Sequence, residues 1–439
     1  MLPVRGGYKR RSENETIIAG IMIRVRAIPC TLWGLLTIAA LWLSPLTSRA
    51  DDPLPSNGGS GTAGTVGTVG VWRRWNPPQQ LNDGLLLTVL SDRRVLLAGG
   101  EPPRVGATAT ADVLNPRSGA WSATDPPAMN RVEHAAVALP SGGALLVGGI
   151  DRSKSEPMRH RNSHSYEPPK LSAALLASAE VWDPARGWHK TGSLLEARAQ
   201  PQAALLQDGR VLITGGIQHT YGPDYVTPTI LKNGRSRALA SAEIWSPRAG
   251  RWQAAAPMAQ ARYSHTATAL EDGRVLVVGG APAVMTRAAL NVPAETWDPE
   301  TGRWTPTARP RYDRMGHTAT RLRDGRVLIV GGHVPAPAAG GADPGLSAAE
   351  AWDPHTGRWI DVAPMAFARA NHDAVLLPDG RVLVAGGGGP TAEVWDPVAD
   401  RWTATGPFTD QPDYGVRLAP LPDGTVLLVG MTVQLWSPH

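Results

Sequence analysis

The sequence predicts an all-β fold of seven similar units, and three observations lead to this prediction. The 439 residues include 48 Gly and 40 Pro, which interrupt helices and favour short strands joined by turns. Six apolar runs of the R-V-L-V-V-G-G type end in a Gly-Gly pair, and Val429-Gly430 ends a seventh. A Trp stands 23 residues before the same position of the run in six units and 24 residues before it in the seventh. Such repetition is typical of propellers and other repeat folds.

Each unit divides into four predicted strands. The first is a small apolar stretch such as H-T-A-T-A-L, and an Asp-Gly turn, a strong hairpin signal, joins it to the second. The second strand is apolar on both faces, so we expect it to lie between neighbouring sheets. The third strand carries the pattern A-E-x-W. The fourth begins at the Trp that follows a turn of the Asp-Pro-x-Thr-Gly type.

The two ends of the repeat region predict how the fold closes. The last element, around Trp436, is a third strand with no fourth strand after it, and the first element, around Trp72, is a fourth strand with nothing before it. A closed ring leaves no exposed sheet edge only if these two pieces join in one sheet. The sequence therefore predicts a seven-bladed β-propeller over residues 70–439, in which the N-terminal strand closes the last blade.

Residues 1–50 predict a signal peptide. Arg24 and Arg26 precede an apolar run over residues 27–46, and the small residues that follow suit cleavage after Ala50. The expected location is therefore outside the cytoplasm, in the periplasm or the extracellular space.

Two alternatives remain for this N-terminal region. Residues 27–46 are nearly long enough to cross a bilayer, so an uncleaved anchor with the propeller outside is the second possibility. Translation can start at Met1 or at Met22. Residues 51–69, rich in Gly, Ser and Thr, predict a flexible linker between this region and the propeller.

Charge and cysteine content exclude several classes of protein. The net charge of +5 belongs to residues 1–50, with seven Lys/Arg and two Glu, so residues 51–439 carry 36 basic and 36 acidic side chains. This balance does not suit a nucleic-acid-binding protein. The single cysteine, Cys30, lies in the apolar run, so the exported body has no disulfide and no thiolate. We expect no cofactor, no metal site, and a monomer without further membrane insertion.

The Gly-Gly pairs, the spaced Trp residues and the H-x-A…D-G-R-V-L-V-x-G-G spacing resemble kelch repeats over about residues 70–439. The resemblance implies a β-propeller similar to those of animal kelch proteins and of the central domain of galactose oxidase. It implies no single activity, because propellers carry many functions. The copper-radical centre of galactose oxidase needs a Cys crosslinked to a Tyr, and no Cys follows residue 50. The sequence therefore excludes that chemistry.

An Arg-x-x-His motif recurs where the chain enters the first strand of a unit. It occurs in units two, four, five and six, as Arg131/His134, Arg262/His265, Arg314/His317 and Arg369/His372. Leu85, Pro201 and Val416 replace the His in the other units. One interpretation is structural, since groups repeated in register usually satisfy buried polar atoms. The other is a ring of cationic donors that holds an anionic ligand at the channel mouth.

The acid of the A-E-x-W pattern is also periodic, and we expect it to be structural. It occurs as Glu180, Glu243, Glu295, Glu350 and Glu393, with Asp112 and Gln434 at the matching places. Acids repeated in register are expected to pair with strand or turn partners. They therefore do not predict a pair of catalytic carboxylates.

Two insertions between second and third strands predict a binding surface. Residues 150–178 and 217–242 belong to adjacent units, and each insertion has a net charge of +2. The candidate ligand contacts in them are Arg159, Arg161, Tyr166, Tyr221, Tyr225, Arg235 and Arg237. Strand order places both insertions and the Arg-x-x-His motifs on one face, called the top, and the short turns on the bottom. A basic rim with aromatic residues suits an acidic glycan or a protein, and the alternative is a solvated loop.

Together these features predict an exported binding or scaffold module that recognises a protein or glycan ligand on its top face. No catalytic residues are assigned, because no G-x-S-x-G, H-E-x-x-H or P-loop pattern occurs where a mechanism would need it. The alternative is an extracellular carbohydrate-active enzyme or lectin that uses the same face.

Overall fold

The computed structural model describes residues 68–78, 81–101, 110–151, 174–218, 236–282, 292–334, 345–412 and 415–438. Within these ranges the ordered elements are strands, and no helix is present. The strands form seven four-stranded antiparallel sheets, whose innermost strands contact one another in a closed cycle. The sheets are therefore the blades of a seven-bladed β-propeller, which confirms the fold predicted from the sequence.

The strands follow one another from the inside of each blade to the outside. The first strand of the chain is β1 (Val71–Arg74), which belongs to blade seven. Blade one contains β2 (Asp83–Val89), β3 (Val95–Glu101), β4 (Thr110–Asn115) and β5 (Ala120–Thr124). Blade two contains β6 (Ala135–Ala138), β7 (Ala144–Val147), β10 (Ala179–Asp183) and β11 (Gly187–Lys190), and β8 (Ile150–Asp151) pairs with β9 (Ala174–Leu175) at the base of its insertion.

Blade three has the same arrangement as blade two. It contains β12 (Gln202–Leu205), β13 (Val211–Thr214), β16 (Ala242–Ser246) and β17 (Arg251–Ala255), with β14 (Ile217–Gln218) paired to β15 (Arg237–Ala238) at its insertion. Blade four contains β18 (Thr266–Ala269), β19 (Val275–Val278), β20 (Glu295–Asp298) and β21 (Arg303–Pro306).

The remaining three blades complete the ring. Blade five contains β22 (Thr318–Arg321), β23 (Val327–Val330), β24 (Ala349–Asp353) and β25 (Arg358–Val362). Blade six contains β26 (Asp373–Leu376), β27 (Val382–Ala385), β28 (Thr391–Asp396) and β29 (Arg401–Pro407). Blade seven contains β30 (Arg417–Pro420), β31 (Val426–Val429) and β32 (Val433–Ser437), together with β1.

The core lies between the blades and is centred on their second strands. All four residues of β23 are fully buried, because both faces of this strand pack on a neighbouring blade. Leu328 and Val330 of blade five share one hydrophobic cluster with Val382 and Val384 of blade six. Strands that are apolar on both faces are therefore placed as the sequence predicts.

The tryptophans join the two outer strands of a blade and connect adjacent blades. A third-strand Trp lies opposite a fourth-strand Trp in the pairs Trp182/Trp188, Trp245/Trp252, Trp297/Trp304, Trp352/Trp359 and Trp395/Trp402. The indole N–H of Trp304 donates to the carbonyl of Ala256 in the preceding blade at 2.7 Å. This partly buried indole thus keeps its hydrogen bond while its ring packs against the core between the two blades.

Blade seven is built from both ends of the described chain. β1 pairs with β32, with Trp72 opposite Trp436. The indole N–H of Trp72 donates to Thr405 Oγ1 of blade six at 3.0 Å, and the backbone N–H of Val69 donates to the carbonyl of Ala404 at 2.9 Å. The predicted closure by the N-terminal strand is therefore confirmed.

A membrane-spanning helix is not found among the described residues. The predicted anchor over residues 27–46 and residues 51–67 of the linker predicted over 51–69 lie outside these ranges, whereas Val69, at the end of that linker, bonds to blade six.

Candidate functional site

The bottom face consists of short turns whose polar groups bond to one another. Asp272 accepts hydrogen bonds from the backbone N–H and from Nε of Arg274, at 3.0 and 2.8 Å. Asp298 accepts from the backbone N–H of Glu300 at 2.8 Å and from the hydroxyl of Thr301 at 3.0 Å. Such turns close on their own side chains. The bottom face is therefore formed by similar turns whose polar groups are already used.

The arginines of the Arg-x-x-His motifs lie inside the blades. Arg131 is 0% exposed, and its guanidinium donates to Glu180 Oε1 at 2.6 Å and to the carbonyl of Gly148 at 2.8 Å. The same arrangement joins Arg262 to Glu295, Arg314 to Glu350 and Arg369 to Glu393. The periodic acids of the third strand are thus the partners of the periodic arginines, as the structural interpretation requires.

A fifth buried pair was missed in the sequence because Pro201 replaces the His of its motif. Arg198 is 0% exposed and donates to Glu243 Oε1 at 2.6 Å and to the carbonyl of Gly215 at 2.9 Å. The signal that identifies it is spacing: this arginine and its glycine are 17 residues apart, as in the other four blades.

The histidines of the motif are buried against the Gly-Gly pair of the preceding blade. A Cβ on Gly215 would lie 2.6 Å from Cε1 of His265, so only glycine leaves room for the imidazole. Nε2 of His265 lies 2.8 Å from the hydroxyl of Thr214, and Nε2 of His372 lies 3.0 Å from that of Thr318. Burial and the nearby arginines lower the pKa of His372 to about 3. This imidazole is therefore neutral near pH 7.

The arginines bond to groups within their blades, and the imidazoles of His265, His317 and His372 lie within hydrogen-bond distance of a threonine hydroxyl in the preceding blade. The guanidinium groups are paired and fully buried, and the imidazoles are at most 6% exposed. The geometry favours the structural interpretation for the whole set, namely Arg131, His134, Arg262, His265, Arg314, His317, Arg369 and His372. In this structure none of these residues presents an exposed cationic donor at the mouth. A contact between any of them and a ligand stays a prediction.

The residue directly before the His position forms the rim of the mouth. Its φ is positive in every blade, at Gly84, Glu133, Gln200, Ser264, Gly316, Asn371 and Gly415, with values from 50° to 86°. A residue with a side chain in this left-handed region carries a strain of roughly 1–3 kcal/mol. Three blades avoid the strain with glycine, and four blades hold a polar side chain in spite of it.

These residues are linked in blades two to six, and we call Glu133, Gln200, Ser264, Gly316 and Asn371 the mouth arc. Ser264 Oγ donates to Gln200 Oε1 at 2.7 Å, and Gln200 Nε2 donates to Glu133 Oε2 at 3.2 Å. The backbone N–H of Gly316 donates to the carbonyl of Ser264 at 3.2 Å, and that of Asn371 donates to Gly316 at 2.8 Å. Neighbouring blades are therefore held in register at the mouth.

Three partly buried side chains flank the arc on blades four and five: Tyr263, Met315 and His333. Met315 and His333 pair through their backbones, and His333 Nε2 lies 3.4 Å from Asn371 Nδ2. Burial raises the pKa of Tyr263, so its hydroxyl keeps its proton near neutral pH. The arc therefore has an aromatic residue and an imidazole beside it.

Blades one and seven lack the buried Arg–Glu pair. In blade one, Asn82 takes the place of the arginine and donates to the carbonyl of Gly99 at 3.1 Å. Asp112 takes the place of the glutamate, and burial raises its pKa. In blade seven, Gln434 Oε1 accepts a hydrogen bond from the backbone N–H of Thr409 at 3.0 Å. The substituted positions still bond to the backbone, but without a buried guanidinium.

Most candidate contacts of the two insertions lie outside the described residues, namely Arg159, Arg161, Tyr166, Tyr221, Tyr225 and Arg235. Arg237 is described. It lies on β15, its side chain is 65% exposed, it forms an ion pair with Glu196, and it donates to Gln218 Oε1 at 3.0 Å. The basic rim therefore stays a prediction, and one of its members is placed on the surface.

No protein-family model and no curated protein matches the chain. Among solved structures, the chain is similar to a fungal alcohol oxidase of the AA5 family in complex with copper. The two are 17% identical, with a TM-score of 0.60, and the similarity covers 85% of this chain and 76% of the other. At this identity the likeness shows the fold alone, and it supports the propeller.

The copper of that oxidase gives a test for the residues of this chain. In the described ranges, no three His, Cys, Asp or Glu side chains lie together as a metal site requires. The only cysteine, Cys30, lies outside these ranges and before the predicted cleavage point. The residues that the structure describes therefore do not fit a copper centre.

Proposed function

We propose that the protein is an exported binding module whose propeller recognises a glycan or protein ligand on its top face. The observation that carries the proposal is the difference between the two faces. Bottom turns such as Asp272–Arg274 use their polar groups within one turn, whereas the polar side chains of the mouth arc bond between blades and account for four of the six described non-glycine residues with positive φ. Strain of this kind is concentrated at functional sites.

The two insertions support a role for the top face in attracting an acidic partner. The described bases of the two insertions share one hydrophobic cluster through Ile150 and Ile217. Residues 150–178 and 217–242 each carry a net charge of +2 on a body whose overall charge is zero. A local excess of positive charge steers an acidic ligand without a large net charge on the protein. The exposed Arg237 is the described member of this basic surface.

The second candidate function is a carbohydrate-active enzyme, and the likeness to an alcohol oxidase is the observation that favours it. The described residues do not fit the copper of that oxidase, so a binding role is the better-supported proposal. A turnover measurement on every ligand that binds separates the two functions.

The test uses the full chain, exported and purified, against a panel of acidic and neutral glycans. The variant R159A/R161A/R235A/R237A removes four charges from the top face. Its matched control, R210A/R274A/R326A/R381A, removes four from bottom turns. We expect the top variant to weaken binding of an acidic glycan about tenfold or more and the control to leave it unchanged. Affinity should also fall with salt, since the Debye length is about 8 Å near physiological strength.

Two results would contradict the proposal. Equal effects of the two variants would remove the distinction between the faces. Turnover of a bound glycan by the purified protein would establish the enzyme in place of the binding module.

A further inference from the structure

We propose that the mouth arc binds a neutral, hydroxyl-rich group, such as the end of an uncharged oligosaccharide chain. This inference rests on the proposed binding role of the top face and names the chemistry of one site within it.

The side chains of the arc offer neutral hydrogen-bonding groups. Gln200 and Asn371 each carry a carboxamide, Ser264 carries a hydroxyl, and the neighbouring Tyr263 carries a phenol that keeps its proton. Sugar hydroxyls both donate and accept hydrogen bonds, and carboxamides and hydroxyls also do both. The groups at the mouth therefore match a ligand made of hydroxyls.

The charges near the mouth do not favour an anion. The guanidinium groups of the five Arg–Glu pairs are fully buried, and Glu133 places a carboxylate in the arc itself. Arg417, on the inner strand of blade seven, donates to the carbonyl of Val416 and interacts electrostatically with Asp373. An anion at the arc would lie beside the carboxylate of Glu133, which would repel it, whereas a neutral group would not be repelled.

The polar side chains of the arc are separable from the fold. Gly84, Gly316 and Gly415 hold the same left-handed backbone with no side chain, so the blade itself requires only the backbone conformation. A glycine at position 200 or 264 would relieve strain, because glycine adopts positive φ readily. Hydrogen bonds between blades two, three and four give the side chains at positions 200 and 264 one role, and a ligand that uses their remaining hydrogen-bonding groups gives a second.

The hydrogen bonds within the arc orient its groups before any ligand arrives. Ser264 donates to Oε1 of Gln200, and Nε2 of Gln200 donates to Glu133, which fixes the direction of the carboxamide. Groups held in place in this way lose little entropy on binding. Partly buried Tyr263 and Met315 add apolar surface beside them, which suits the C–H face of a sugar ring.

The experiment measures binding of cellohexaose, xylohexaose, mannohexaose and maltohexaose to the full-length exported protein by calorimetry, with hexagalacturonate as the acidic comparison. The variants are Q200G/S264G and N371G. The control is R93G, because Arg93 also has a positive φ, of 71°, but lies in a bottom turn. Melting temperature is recorded for each variant.

We expect at least one neutral hexasaccharide to bind, with an affinity that does not change between about 50 and about 500 mM salt. Q200G/S264G should bind it about tenfold more weakly, as the loss of one or two hydrogen bonds implies, while its melting temperature stays the same or rises. R93G should bind as the unmodified protein does. If Q200G/S264G melts several degrees lower, N371G decides, because Asn371 is outside the Ser264–Gln200–Glu133 chain.

Three results would overturn the inference. Binding of hexagalacturonate with no neutral sugar bound would contradict it and leave the proposed function standing. Binding of a neutral sugar that both Q200G/S264G and N371G retain would place the sugar elsewhere. Absence of binding by all five sugars would also reject it, and the proposed function would then depend on the charge variants alone.

Discussion

Blades two to six and blades one and seven share one strand order but differ at their top ends. Each of the first group buries an arginine that bonds a glutamate of its third strand, whereas blade one has Asn82 with Asp112 and blade seven has Gln434. All seven sheets nevertheless have four strands in the same sequence from the channel outwards. The buried pair is therefore not required to form a blade.

The second carboxylate oxygen of the glutamate shows the structural role of the Arg–Glu pair. Glu295 Oε1 accepts from Arg262, and its Oε2 accepts from the backbone N–H of Ala259 at 2.9 Å. The pair thus fixes the loop that leads into the first strand of the same blade. That loop also carries the mouth-arc residue of the blade, which is Ser264 in this case. Four of the five blades with the pair hold a polar side chain at the arc position, blade five holds Gly316 there, and the two blades without the pair hold a glycine.

The largest effect should come from opening blade seven, the blade built from both ends of the described chain. Deletion of residues 51–75 removes β1 and exposes the edge of β32, which promotes aggregation. Loss of Trp72, which is 6% exposed, costs about 3–5 kcal/mol by itself. Thermal melts and solubility measure the outcome. Deletion of residues 51–67, which spares Val69, is the control, and equal behaviour of the two truncations would contradict closure by β1.

A smaller effect should distinguish the two kinds of blade directly. E350A leaves Arg314 buried without its partner, and we expect a loss of about 3–5 kcal/mol in the free energy of unfolding. D112A removes an acid that forms no ion pair with a described residue and whose pKa burial already raises, so we expect a change within about 1 kcal/mol. Urea unfolding measures both variants.

The double variant R314M/E350L is the matched control for this prediction. Replacing a buried ion pair by apolar side chains of similar volume is often neutral, so we expect it to be more stable than E350A. Equal losses in E350A and D112A would show that the pairs contribute no more to stability than the arrangement of blade one, which has no buried guanidinium.

The third prediction concerns how the free energy of unfolding depends on pH. The folded-state pKa of His372 is about 3, because burial and the nearby Arg369 and Arg314 disfavour the charged ring, whereas an unfolded histidine has a pKa of about 6.5. Between these values the unfolded chain binds a proton that the folded chain does not, so stability falls as pH decreases from about 6.5 towards 3. In blade seven, Val416 occupies the position that corresponds to His372.

The variant H372V introduces the valine of blade seven at this position. It should reduce the change in the free energy of unfolding with pH by up to about 1.4 kcal/mol per pH unit. Urea unfolding between about pH 7 and about pH 4 gives the slope for each protein. The control is H189V, because His189 is exposed on β11. An unchanged slope in H372V would mean that this imidazole takes up a proton in the folded state.

The sequence predicts the parts of this structure that depend on local pattern. The pairing of Trp72 with Trp436 follows from the repeat pattern, because the repeat region starts with a fourth strand and finishes with a third strand. Arg198 was missed because the motif was defined by its His, although its distance to Gly215 is the same as in the other pairs. The spacing between the arginine and its glycine is the same in all five blades with a buried pair, so it identifies the pair more generally than the His does.

The mouth arc was not predicted, for a different physical reason. Its positions are occupied by Glu133, Gln200, Ser264 and Asn371, and of these residue types only Asn is common in a left-handed backbone. A second signal is that a glycine occupies the same register elsewhere, as at Gly316. Which polar side chains meet at the channel axis depends on the closed ring, and a single unit contains no information about it.

The closure of blade seven also has a consequence for the order of assembly. The indole N–H of Trp436 donates to the carbonyl of Val69 at 3.3 Å, which joins residues 367 positions apart. Contacts over such distances form slowly, because the entropy of closing the loop must be overcome first. Six blades consist of neighbouring segments and can form without the distant end of the chain. β1 therefore stays without its partner until β32 has been made, and the ring is completed by contacts between the two most distant strands of the described chain.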